Sequence, residues 1–230
     1  MKNPLVIFDL DGTLVDTAPD LITALNHTIV AEGLTAVGYE DITHLVGQGA
    51  KMMIQRAYHL QGLTLDEDAV EPLLARFIEF YLAEMPGDSK PYPGVIAAME
   101  RLSAAGYRLA VCTNKIEQLA LPLVEKLGLS GHFALITGGD TFEVRKPHAG
   151  HILGTIERAG GDPQQSVMIG DSINDILAAR NAGIPSVAVS FGYSDVPVEE
   201  LQASTVIHAY EQLTPALIER LLADTPAELA

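Results

Sequence analysis

The sequence contains a single cysteine, Cys112, so no disulfide can form within the chain. Basic charge is also scarce: 14 lysines and arginines stand against 30 aspartates and glutamates, a formal charge of −16. Such a field opposes the capture of nucleic acid or of an anionic membrane, and neither is expected as a partner. No uninterrupted apolar run approaches the ~20 residues that a membrane helix needs. The first such run, Leu5 to Phe8, is short and ends in Asp9, which does not read as a signal peptide. Internal repeats and low-complexity segments are missing too. These absences point to the reducing cytoplasm and leave monomer and homodimer both open. What remains is ample for a folded protein: 230 residues, 48% of them hydrophobic and 19% charged, enough for one domain with a sizeable insertion. If the substrate is an anion, the site must reverse the overall field locally, with a lysine, a helix N-terminus or a bound cation.

Leu5-Val6-Ile7-Phe8 reads as a buried strand that opens into the loop Asp9-Leu10-Asp11-Gly12-Thr13. Thr17, Pro19 and Asp20 signal a helix start, and Leu21, Ile22, Leu25 and Ile29 follow at helical spacing. The helical period persists to about Met85, for example through Val70, Leu73, Phe77 and Tyr81. Pro86-Gly87 and Pro91-Tyr92-Pro93-Gly94 then interrupt it as a return hinge. Beyond the hinge, strands at Leu109–Cys112, Leu135–Ile136, Val167–Ile169 and Val187–Val189 alternate with helices. The expected fold is α/β: a Rossmann-like, doubly wound parallel sheet core with a helical cap domain inserted after the first strand. Residues 1–15 and 88–230 would form the core and residues 16–87 the cap. Ligands of such sheets gather at the carboxyl ends of the strands, so the loops after Phe8, Cys112, Ile136 and Ile169 should converge.

Those loops hold the chemistry. Asp9 and Asp11, two apart just past a strand, can direct both carboxylates to one side. Each feature also has a plainer reading, since Asp and Gly are common in solvated turns. Thr113 and Asn114 follow Cys112 and offer a hydroxyl and an amide ahead of a helix, where anions are readily held, although both residues are also frequent helix caps. Lys146-Pro147 places a cation in the loop before the helix from Ala149. Gly170-Asp171 ends another strand, and Asp175 lies one helical turn further on.

Taken in order, Asp9-x-Asp11-Gly12-Thr13, Thr113-Asn114, Lys146-Pro147 and Gly170-Asp171-x-x-x-Asp175 resemble the four motifs of the haloacid dehalogenase superfamily, over nearly the whole chain. The resemblance implies phosphoryl transfer through an aspartyl-phosphate on Asp9, with Asp11 protonating the leaving oxygen and later activating water. It implies Mg²⁺ held by Asp9, Asp171 and the main-chain carbonyl of Asp11, supported by Asp175. Thr113, Asn114 and Lys146 would hold the non-bridging phosphate oxygens. Asp11 disfavours dehalogenation, because that branch lacks the second aspartate. A mobile cap implies a small phosphorylated metabolite rather than a protein as substrate.

Further segments resemble phosphoglycolate phosphatases: Phe8 to Leu21, Val46-Gly47-Gln48-Gly49-Ala50, and Asp175 to Gly183. In the second, Gly47, Gln48 and Gly49 form a candidate specificity loop whose amides can approach a short carboxylate-bearing substrate; a plain helix-helix turn reads equally well. Hydrolysis of 2-phosphoglycolate is the leading expectation. Phosphatases of nucleoside monophosphates, pyrophosphate or sugar phosphates, a phosphohexomutase, and a catalytically dead regulatory binding protein are the alternatives. Cys112 reads as a small core residue, His148 and His151 as a helix surface, Arg180 as an ion-pairing residue, and Gly138-Gly139-Asp140 as a turn.

Overall fold

The computed structural model describes residues 4–194 and 196–224, with the side chains of 42–45 excepted; residues 1–3, 195 and 225–230 of the expected core segments lie outside the described residues. Strand β1 (Leu5–Phe8) is followed by the short β2 (Val15–Asp16) and by four helices, α1 (Ala18–Val30), α2 (Tyr39–Ile42), α3 (Ala50–Leu60) and α4 (Glu67–Glu84). Strand β3 (Lys90–Pro91) then pairs antiparallel with β2, so a two-stranded ribbon carries the chain into and out of the helical insertion. The remainder alternates: α5 (Val95–Ala104), β4 (Arg108–Cys112), α6 (Glu117–Lys126), β5 (Leu135–Thr137), α7 (Ala149–Arg158), β6 (Ser166–Gly170), α8 (Ile173–Asn181), β7 (Ser186–Val189), β8 (Thr205–Ile207) and α9 (Pro215–Asp224).

Six strands form one parallel sheet in the order β5-β4-β1-β6-β7-β8. The order reverses at β1, which therefore lies at the crevice where ligands of doubly wound sheets sit. Both faces of the sheet are covered, which explains why β1 reads as an unbroken apolar run rather than an alternating one. Side-chain alternation divides that run between two cores. Val6 and Phe8 join Leu109, Val111, Val167 and Ile169 in a core that continues into the insertion through Leu14, Leu21, Phe77 and Tyr81. Leu5 and Ile7 join Ala110, Cys112 and Met168 against Ile152 and Ile156 of α7 and Ala178 and Ala179 of α8.

The entry to the insertion is built differently from its sequence signal. Thr17 occupies the N-cap position of α1 but makes no side-chain capping bond. The two backbone donors there, Thr17 N and Ala18 N, instead donate to the hydroxyl of Tyr193 at 2.7 and 3.0 Å, and that hydroxyl donates to Asp16. An aromatic from the loop after β7 thus satisfies the exposed start of the helix and leaves the Thr17 hydroxyl available elsewhere. Asp20 ties the other side of the ribbon, accepting from Asp88 N at 2.8 Å and Ser89 N at 2.9 Å. The sequence gives no signal for β2, β3 or β8, each two or three residues long and too short to show a period.

Candidate active site

Asp9 leaves β1 while its backbone N–H still donates to Ile169 O at 2.9 Å, and Thr113 N donates to Thr137 O at 3.0 Å past the end of β4. The tips of β1, β4 and β6 therefore deliver Asp9, Thr113 and Asp171 to one rim. The loop after β5 has a different task. At Gly138 and Gly139 a β-carbon would lie 2.5 Å from Glu117 N and 2.4 Å from Asn114 O respectively, so this segment backs the Thr113–Lys115 turn. The two glycines lie in the expected turn, which Thr141 N closes on Gly138 O at 3.1 Å, and are close-approach positions within it.

Lys146 is 2% exposed and its ammonium meets three acceptors: Asp9 Oδ1 at 2.9 Å, Asp175 Oδ1 at 2.6 Å and Cys112 O at 2.6 Å. Two of its N–H donors are hydrogen-bonded, to Asp175 and Cys112 O, and Asp9 meets it as an ion pair, which fixes a charge that burial would otherwise expel. Burial lowers the affinity of Lys146 for its proton, but Asp175 and Asp9 outweigh it and hold the group above the usual lysine range. Asp175 has a second task at the start of α8, where its Oδ2 accepts from Ser172 N at 3.0 Å and Ser172 Oγ at 2.7 Å in a capping box.

Asp171 is clamped at both oxygens, by Thr13 Oγ1 at 2.8 Å and Tyr193 N at 2.8 Å. Two glycines make room for it. A β-carbon on Gly12, whose φ is +82°, would lie 2.4 Å from Asp171 Oδ2, and one on Gly192 would lie 2.2 Å from the Asp171 Cβ. Asp11 faces a separate cation: Lys115 Nζ donates to its two oxygens at 3.0 and 3.2 Å, and Thr17 Oγ1 donates to Oδ1 at 2.7 Å. Lys115 in turn lies 4.6 Å from the ring centroid of Tyr81 on α4. Burial would depress Lys115, but the neighbouring Asp11 and Tyr81 hold it above the usual range.

The expected site residues Asp9, Asp11, Thr113, Lys146, Asp171 and Asp175 are thus buried together at the strand ends. Asn114 joins them with its Nδ2 turned to Lys146 O at 3.0 Å, tethering one loop to the other. Gln48 and Gly49 line a cavity of about 300 Å³ that also touches Asp11, Phe77, Lys115 and Arg145, between the insertion and the sheet. Gly47 is not among its lining residues; a β-carbon there would lie 3.9 Å from the Ser172 side chain.

Carboxylate oxygens of Asp9, Asp171 and Asp175 lie within 4.8 Å of one another. Four buried acids, Asp9, Asp11, Asp171 and Asp175, face two buried lysines, so full ionisation leaves a surplus of two negative charges. The proton equilibria register that surplus. Burial raises Asp9 to about 7 although Lys146 pulls it down, and burial with Asp175 and Asp9 as neighbours raises Asp171 well above the carboxylate range. A cluster of hard oxygen donors carrying this charge fits a divalent cation of the magnesium or calcium kind.

Several readings of single residues change. His148 is on the surface, where it caps α7, but His151 is fully buried, contrary to the expected helix surface. Its Nδ1 accepts the Lys146 N–H at 3.2 Å, and burial and Lys146 lower it to about 4, so it stays neutral and holds the backbone that carries the cation. Among the described residues Arg180 finds the Gln202 amide at 3.1 Å and no carboxylate partner. Cys112 is a core residue as expected; burial pushes its thiol up to about 11 and removes it as a nucleophile. Sequence reasoning gave no role to Lys115, Thr13, Thr17 or Tyr193, although Thr13 closes the first motif and Lys115 directly follows the second.

Comparison with known proteins agrees with this geometry. The family model described as haloacid dehalogenase-like hydrolase matches residues 6–189. A phosphoglycolate phosphatase of Agrobacterium fabrum is 63% identical, covering 96% of this chain and 94% of its own. One of Mesorhizobium japonicum is 50% identical, with 96% and 98% covered. A crystal structure of a predicted phosphoglycolate phosphatase from Haemophilus somnus superposes with a TM-score of 0.85 at 30% identity, over 91% of this chain and 96% of that one. With the four loops assembled at the switch point of its sheet, the chain belongs to the haloacid dehalogenase-like hydrolases and resembles the phosphoglycolate phosphatases among them.

Proposed function

We propose that this hydrolase cleaves 2-phosphoglycolate to glycolate and phosphate, with Asp9 as nucleophile, Asp11 as general acid and base, and Mg²⁺ as cofactor. The observation that carries the reading is the division of the strand-end site into two ion pairs, Lys146 on Asp9 and Lys115 on Asp11. It separates a phosphoryl end from a leaving-group end, as displacement at phosphorus demands. An Asp9 oxygen attacks phosphorus; the bond from phosphorus to the ester oxygen breaks, and Asp11 gives that oxygen its proton. Asp11 then removes a proton from water, which attacks the phosphorus of the aspartyl-phosphate and returns Asp9 as phosphate leaves. Lys146 neutralises the transferring group, and the Thr113 hydroxyl and the backbone amides around Asn114 orient its oxygens. Asp9 and Asp171, with the carbonyl of Asp11, would hold the ion, and Asp175 would support them. When bound, Mg²⁺ supplies the charge that offsets the surplus on the acids.

Residues 16–87 serve in this reading as a cap whose Gly47-Gln48-Gly49 turn closes over a small ester, and residues 1–15 and 88–230 as the catalytic core. Among the described residues no helix is long and apolar enough to cross a membrane. With its one cysteine, Cys112, buried in a core and without a disulfide partner in the chain, the cytoplasm suits the enzyme.

The test is phosphate release from 2-phosphoglycolate, nucleoside monophosphates, pyrophosphate and hexose phosphates, with Mg²⁺ and with a chelator. The expected result is a chelator-sensitive kcat/KM for 2-phosphoglycolate well above the others. A clear preference for another ester overturns the substrate.

Metal binding gives a second prediction. Its ligands must be ionised, and Asp9 reaches about 7 in the protein without metal. Affinity for Mg²⁺ should therefore tighten as pH rises through that value. Millimolar Mg²⁺ is expected to raise the thermal midpoint more at pH 8 than at pH 5.5, and an equal rise at both would count against Asp9 as a ligand.

A further inference from the structure

The cavity beside Asp11 touches three basic side chains, Lys51, Lys115 and Arg145. They differ in setting. Lys51 is exposed and 3.5 Å from Glu67, and Arg145 is exposed, whereas Lys115 is 8% exposed and placed by two contacts, Asp11 and the face of Tyr81. A buried ammonium on a cavity wall is a strong, poorly screened source of specificity for an anion. Its location limits which anion. Asp11 faces the ester oxygen that departs, so a cation 3.0 Å from Asp11 adjoins the leaving group rather than the phosphate. In a substrate of the form phosphate–O–CH2–carboxylate, one methylene separates that oxygen from the carboxylate. A cation bordering Asp11 is within reach of the second charge.

We infer that Lys115 is the specificity-determining residue that recognises the carboxylate of the leaving group, exchanging its partner from Asp11 to the substrate. This rests on the substrate reading above. Before exchange, Asp11 is held at both oxygens by Lys115 and at Oδ1 by Thr17 as well. Transfer of the ammonium to the incoming carboxylate frees an Asp11 oxygen to face the ester oxygen, while Thr17 keeps the side chain oriented. An ester without the carboxylate cannot draw Lys115 away, so the same contact that attracts the right substrate disfavours the wrong one. The ring of Tyr81, which belongs to the insertion, lets the ammonium move over an apolar surface without losing all favourable contact.

The experiment compares kcat/KM for 2-phosphoglycolate with that for 2-hydroxyethyl phosphate, which replaces the carboxylate by a neutral hydroxymethyl group. It uses the wild-type protein, Lys115→Met, Lys115→Gln and Lys115→Arg. In the wild type the ratio should favour 2-phosphoglycolate. It should fall by about 10- to 100-fold in the Met and Gln variants and be largely kept by Arg. Competitive inhibition by orthophosphate, which reports the phosphoryl end, should stay within a few-fold in every variant. If the Met protein does not fold, the Gln protein decides. A wild-type preference that persists in the neutral variants, both substrates losing rate in parallel, would overturn the inference and make Lys115 only a support for Asp11. No wild-type preference would instead overturn the substrate reading, and the inference with it.

Discussion

Asp9→Asn is expected to lower kcat by roughly 10⁴-fold or more while leaving the fold intact, because an amide cannot form the phospho-enzyme. The substitution is close to isosteric, and Asp9 Oδ1 is the oxygen that faces Lys146 at 2.9 Å, so an amide oxygen can keep facing that ammonium. The fold should tolerate the change for a second reason. Burial already disfavours the ionised form of Asp9, raising it to about 7, so a neutral group there removes a charge that the folded state holds at a cost. Thermal unfolding without metal should thus show the variant at least as stable as the wild type near pH 8. Acid quenching of the wild type during turnover, followed by mass spectrometry, should find one phosphoryl group on the peptide containing Asp9 and none in the variant. Substantial Mg²⁺-dependent hydrolysis by Asp9→Asn would falsify the nucleophile assignment.

Lys146→Met should damage both activity and stability. The side chain keeps its length and loses the charge that Asp9 and Asp175 share at 2.9 and 2.6 Å. Removing one member of a buried ion cluster leaves the others uncompensated and typically costs about 3–5 kcal/mol, here on the order of a 10 °C fall in thermal midpoint. The rate should fall by at least about 10²-fold through lost stabilisation of the transferring group. The deficit has a pH sign. A carboxyl whose folded value lies above its ordinary 3.8, as Asp9 does at about 7, contributes full stability below 3.8 and loses it as pH rises through 7. Without Lys146 the upward shift grows, since the lysine is what pulls Asp9 down. The difference in midpoint between variant and wild type, measured without metal, should be wider at pH 8 than at pH 5. Equal differences at both would show that lost packing, not charge, is responsible.

How much of this was legible in the sequence depends on how local each signal is. Asp9 and Asp11 announce themselves by ending a fully apolar run, and Asp171 does so after Val167-Met168-Ile169. A buried strand that stops at an acid states its own position at a sheet edge. Lys146 carries a weaker local signal and depended on the order of the other three loops. The hydroxyls of Thr13 and Thr17 gave none, because threonine after a turn or before a helix is ordinary. Thr17 sits where a helix cap belongs, yet its hydroxyl serves Asp11 because Tyr193, 176 residues away, covers the helix start. His151 read as surface together with His148 because no acidic partner stood at a metal-ligand spacing from them, and only the packing of α7 against the sheet separates the two.

By itself, the sequence determined the alternation of strand and helix, the helical stretch after the first strand, the absence of a disulfide, and which acids stand at strand ends. Each is a matter of period, composition or immediate neighbours. The tertiary structure alone decided which charges meet. Lys146 and Asp9 lie far apart in the chain, as do Lys115 and Asp11, separated by 104 residues. They come together because β1 is hydrogen-bonded between β4 and β6, and strand order is set by the burial of whole faces and the handedness of the crossovers, which no local window contains. In the proposed reading, that order gives one lysine to the phosphoryl end and the other to the leaving group.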